Sequence, residues 1–131
     1  MTNISKNKIT GADYKLAYAE LIELLTKLQN NDAKYFLEEL LTEAEKIMLV
    51  KRFAAIFMFQ QNYLPDRVSQ TISISLSTAQ RLHHQYDDGH YHKLFGCLKP
   101  KDKNRFLALI EDLILAQASS KARSRLLKRV L

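Results

Sequence analysis

One cysteine, two prolines and three glycines are all that the 131 residues hold of these three types. The lone Cys97 excludes an intramolecular disulfide and points to a reducing, cytoplasmic setting. So little Gly and Pro, beside 47% hydrophobic residues, argues against a disordered chain and for an all-α globular protein. The opening MTNISKNKIT has no apolar core, so no secretory signal is read there. No apolar run approaches the ~20 residues that span a bilayer, which argues against a membrane partner. No internal repeat or low-complexity segment is present. Nucleophile motifs and phosphate-cradling loops are missing too, and neighbouring carboxylates such as Glu38 and Glu39 diverge on a helix. No enzyme is expected.

What is there is positive charge and helical periodicity. The formal net charge is +6 and the isoelectric point is near 9.5, a balance that suits a nucleic-acid partner. Residues 1–9 read as a flexible N-terminus, 10–118 as one helical domain, and 119–131 as a basic C-terminal tail or helix extension. Thr10 with Asp13 resembles a capping box, and a helix is expected from Ala12 to Gln29. Its Tyr14, Tyr18, Leu21, Leu25 and Leu28 share one side, while Leu16 and Leu24 add a second apolar side. A short helix from Ala33 to Leu41 is expected to bury Phe36, Leu37, Leu40 and Leu41. Thr42 and Glu45 form a T-x-x-E start for a helix reaching about Gln61. Its stretch from Phe53 to Phe59 has no polar residue and reads as the central strut. Gly89 supplies a left-handed helix end, His90 to Lys99 reads as irregular, and Pro100 opens the last helix. Phe106, Leu109, Ile110 and Leu113 line one side of it.

The stretch 65–85, PDRVSQTISISLSTAQRLHHQ, reads as two short helices joined by a tight turn. Pro65 suits a first helical position and Asp66 suits the positive end of the helix. Val68 and Ile72 share one face, and Ile74 plugs the turn. Ser75 can cap the second helix. Ala79 and Leu82 can face the first helix, small Ala79 allowing a close crossing. This is the layout of a helix-turn-helix, whose second helix enters the DNA major groove. Ser75, Ser77, Thr78, Gln80, Arg81 and His84 are the candidate DNA-binding residues. A plain helical hairpin is the competing reading, because the turn lacks the usual Gly.

LLTEAEKIMLVKR, followed by the 65–85 pair, resembles the tryptophan repressor family. That resemblance implies an all-α, intertwined homodimer that binds near-palindromic double-stranded DNA as a transcriptional regulator, most naturally a repressor. In tryptophan-binding members a Thr in the LLT segment, an Arg ten residues on and an Arg in the recognition helix form the amino-acid pocket. Matched motif to motif, these are Thr42, Arg52 and Arg81, the possible ligand-binding residues by resemblance. Those members carry a small Gly after the recognition-helix Arg, where this chain has Leu82, and the turn is one residue shorter. A Leu there fills the indole space, so neither tryptophan nor another corepressor is expected, and Arg52 has an alternative partner in Glu45 or Glu38.

His83, His84, His90 and His92 lie near Asp87 and Asp88 in sequence, but adjacent histidines on a helix point ~100° apart, so no metal site is expected. The alternative to DNA binding is a non-catalytic helical protein-interaction module, supported by the surplus of Leu and aromatic residues. The basic tail around Lys121, Arg123 and Arg125 reads as a phosphate-contacting arm or as a solvated extension, with a membrane surface a minor third choice.

Overall fold

The structure is a computed structural model and describes residues 10–118; the expected flexible N-terminus and the basic tail lie outside them. Seven helices and no strand occur among the described residues: α1 (Gly11–Thr26), α2 (Asp32–Leu40), α3 (Glu43–Gln60), α4 (Pro65–Ile72), α5 (Leu76–Asp87), α6 (His92–Gly96) and α7 (Pro100–Ala118). The all-α expectation holds. The chain divides into two compact units, with the division inside α3 between Met48 and Leu49.

In the first unit, α1 starts at Thr10, whose hydroxyl accepts the Asp13 N–H at 3.2 Å. The helix stops at Thr26, short of the expected Gln29. Lys27 and Leu28 donate back only three residues, tightening the chain out of the α-helix, and Asn30 then turns left-handed at φ 53°. α3 opens with a reciprocal capping box. The Thr42 N–H donates to Glu45 Oε1 at 2.9 Å, and the Glu45 N–H donates to Thr42 Oγ1 at 3.2 Å. Neither α1 nor α2 has a fully buried residue. The expected burial of Leu37 and Leu40 is not met: both are exposed, Leu40 at 60%, while Phe36 and Leu41 are half-buried. Periodicity tells that these side chains share one face, not that the face is covered, and among the described residues Leu37 and Leu40 stay exposed.

The second unit holds the core. Every residue from Ala54 to Phe59 is buried, as expected of an unbroken apolar stretch. Ala54, Ala55, Met58 and Phe59 of α3 pack with Val68 and Ile72 of α4, Leu82 of α5 and Ile110 of α7. Burying one such Phe contributes on the order of 1.5–3 kcal/mol. Phe57 is fully enclosed and meets the rings of Phe53, Phe95 and Phe106 at centroid distances of 4.9, 5.4 and 4.9 Å. On α7, Phe106, Ile110 and Leu113 recur at helical spacing and pack into or against this core, with Ile114 beside them.

The segment from His90 to Lys99 is not irregular throughout, since α6 forms a single turn within it. Its Phe95 N–H bonds the Tyr91 carbonyl at 3.2 Å, and the Phe95 ring lies edge-on to Phe57 and Tyr86. Tertiary packing of one ring, not local propensity, holds this turn. Thr71 is the exception to a dry core: it is 8% exposed and its hydroxyl has no hydrogen-bond partner.

Candidate nucleic-acid interface

The interface is built on α4, the turn at residues 73–75, and α5. Pro65 occupies the start of α4, and Asp66 sits in its first turn. Val68, Thr71 and Ile72 are the buried face of this helix. α4 ends at Ser73, which adopts the left-handed conformation at φ 56°. The turn therefore does without Gly, and four bonds hold it, the first from the Ser73 N–H to the Ser69 carbonyl. The Ile74 N–H donates to the Ser69 carbonyl at 3.3 Å, and Ser69 Oγ donates to the Ile74 carbonyl at 2.6 Å. From α3, Lys51 Nζ donates to the Ser73 carbonyl at 2.9 Å. Ile74 itself packs half-buried against the core, as a plug should.

α5 starts as its sequence promised. Ser75 Oγ accepts the Thr78 N–H at 3.1 Å and donates to Thr78 Oγ1 at 2.7 Å. A third hydroxyl, Ser77 Oγ, lies 3.3 Å from Ser75 Oγ. Ala79 and Leu82 are buried, at 0% and 4% exposure, on the side that packs against α4 and the core. On the other side Ser77, Gln80, Arg81 and His84 are all exposed. Their spacing of three, one and three residues makes them one stripe of the helix. Ser75 and Thr78 belong to the cap more than to the stripe, because each hydroxyl engages the other.

α5 ends in a Schellman-type cap. Gly89 is left-handed at φ 79°, and the His90 N–H reaches back to the Gln85 carbonyl at 3.0 Å. Here the stripe meets acid: His84 Nε2 lies 3.4 Å from Asp88 Oδ2, and His83 Nδ1 lies 3.7 Å from Asp87 Oδ2. The end of α5 is thus less suited to a polyanion than its beginning. Among the described residues no group of three or more His, Cys, Asp or Glu side chains converges as a metal site would require.

No family model, curated protein or solved structure matches this chain.

The residues singled out by family resemblance fall into different surroundings. The Thr42 hydroxyl is taken up by the α3 cap. Arg52 is exposed on α3 and makes no ion pair among the described residues; the carboxylate of Glu45 is held by the cap instead. Arg81 stands on the exposed stripe, and Leu82 next to it is buried in the core. A cleft of 490 Å³ opens beyond the C-terminal part of α5, bordered by Tyr86, Tyr91, Phe95 and Lys103. None of Thr42, Arg52 and Arg81 borders it. One residue of α5 escaped the sequence reading: Leu76, its first residue, is 44% exposed. An apolar side chain in an otherwise polar turn was its signal.

Proposed function

We propose that this chain is a sequence-specific, non-catalytic DNA-binding transcriptional regulator that works as a homodimer. On this reading α4 and α5 form a helix-turn-helix, and α5 enters the major groove. The observation that carries it is the division of α5. One side, Ala79 and Leu82, is buried, while the opposite stripe of Ser77, Gln80, Arg81 and His84 is exposed and carries no acidic side chain. Arg67 of α4 and Arg81 of α5 are exposed without ion-pair partners among the described residues, so their charges are available to phosphates or bases. The net charge of +6 and the resemblance of residues 41–81 to the tryptophan repressor family support the same reading.

Homodimerisation is inferred from the first unit. Tyr14, Leu16, Tyr18, Leu24, Tyr35 and Leu40 are each more than half exposed in the single chain. Apolar surface on this scale marks a protein contact. The same surface favours the second reading, a helical interaction module that binds no DNA. Selection of bound sites from random duplexes by the purified full chain separates the two. A palindromic enriched motif with salt-sensitive affinity supports the regulator, and absence of any binding at low salt removes it.

A further inference from the structure

We infer that Leu76 is a specificity-determining residue of α5 that packs on the C5-methyl group of a thymine in the major groove. The inference rests on the DNA-reading role proposed for α5. Leu76 is the first residue of the helix, directly after the Ser75 cap, and the N-terminal turn of a recognition helix is the part that reaches base edges. It is 44% exposed and takes no part in the core cluster, unlike Ala79 and Leu82 on the same helix. It stands four residues before Gln80, on the same side of the helix, and borders Ser77. The stripe therefore begins with an apolar group and continues with hydrogen-bonding ones.

Of the groups that the four bases present in the major groove, the thymine methyl is the one that an alkyl side chain recognises. Four residues of helix advance about 6 Å. Base pairs rise 3.4 Å each, so the thymine lies about two base steps from the base read by Gln80. Ser75 and Ser77, which flank Leu76 in sequence, have hydroxyls 3.3 Å apart, and Ser75 Oγ also donates to Thr78 Oγ1, so the polar groups of this turn engage Ser75 while the Leu76 side chain stays exposed. The acidic pair Asp87 and Asp88 at the far end of α5 leaves the first turns as the approach to the groove.

The experiment uses the full chain and the best duplex from site selection, with each thymine replaced singly by uracil, which removes only the methyl group. At one thymine of each half-site, wild-type affinity should fall about fourfold, the factor for exposing one buried methyl-sized group. Leu76→Ala should weaken the parent duplex by at least that factor and be indifferent to the same uracil. Circular dichroism checks that the variant keeps its helices, and the uracil series on the wild type stands whether or not it does. Sequence-specific binding with no uracil effect at any thymine overturns the role of Leu76 while leaving the DNA-reading function in place. An equal uracil effect in wild type and Leu76→Ala assigns the methyl contact to another residue. Binding to no duplex at all removes the function and this inference together.

Discussion

Lys51 of α3 donates its ammonium to the carbonyl of Ser73, 22 residues further on, at 2.9 Å. Ser73 is the left-handed residue that lets α4 stop and α5 begin. The long side chain of the central helix thus fixes the turn on which the orientation of α5 depends.

The conformation of Ser73 predicts an asymmetry between substitutions. Glycine is at ease at φ 56°, whereas a β-branched side chain is strained there. Ser73→Val should be less stable than Ser73→Gly by about 1–3 kcal/mol. Urea unfolding of the two variants, followed by circular dichroism, gives the difference directly.

Thr71 offers a gain. Its buried hydroxyl has no partner, and an unsatisfied buried polar group costs about 1–3 kcal/mol. Thr71→Val removes the hydroxyl and keeps the shape, so it should raise stability by about 1 kcal/mol. The check is a higher urea midpoint at an unchanged slope. A lower midpoint would mean that the hydroxyl is satisfied in solution.

The capping box gives a pH dependence. The hydrogen bond from the Thr42 backbone N–H, with the Thr42 side chain adding to it, holds the Glu45 carboxyl below its ordinary value of 4.5. The folded value is the lower one, so the stabilisation is complete above pH 4.5 and is lost as pH falls through the folded value. The wild type should therefore exceed Glu45→Gln in stability at neutral pH, and the gap should close in acid. Parallel urea titrations along a pH series measure it. Thr42→Ala should cost about 0.5–2 kcal/mol at neutral pH.

On DNA, the stripe and the tail should behave differently. Gln80 can pair bidentately with adenine, so Gln80→Ala should relax preference at one position by about 1–3 kcal/mol with little effect on non-specific binding. Neutralising Lys121, Arg123 and Arg125 should weaken all sequences alike and flatten the salt dependence. Affinities for a selected and a scrambled duplex across a salt series distinguish the two. An equal loss on both duplexes for Gln80→Ala would end its base-reading role.

Light scattering at micromolar concentration should give twice the 15.2 kDa chain mass. Leu24→Glu places a charge on the exposed apolar face of α1 and should shift the mass toward that of one chain. A monomer mass for the wild type would count against the dimer.

The parts of the fold written in local chemistry were legible in the sequence. Pro65 started α4, the Ser75 hydroxyl capped α5, Thr42 and Glu45 closed their box, and Gly89 ended α5. Each depends on residues within one or two turns. α6 was missed because its one turn is held by Phe95 packing on Phe57, nearly 40 residues away. The exposure of Leu37 and Leu40 was missed because periodicity tells which residues share a face, not what covers it. In the candidate interface, the stripe on α5 was legible from spacing, but the mutual engagement of Ser75 and Thr78 was not. A cap assignment says that the hydroxyl accepts a backbone N–H and leaves open where its own proton goes. The Leu76 side chain carries no hydrogen-bonding group, so a pattern of donors and acceptors along α5 does not mark it.

The enclosure of Phe57 also governs how the second unit comes apart. Its ring touches Phe53 on its own helix, Phe95 on α6 and Phe106 on α7. Those neighbours belong to three helices, so exposing the Phe57 ring requires that all three part from it. Amide protons of the buried α3 stretch should therefore exchange more slowly than those of α1, which has no buried residue among its helix positions.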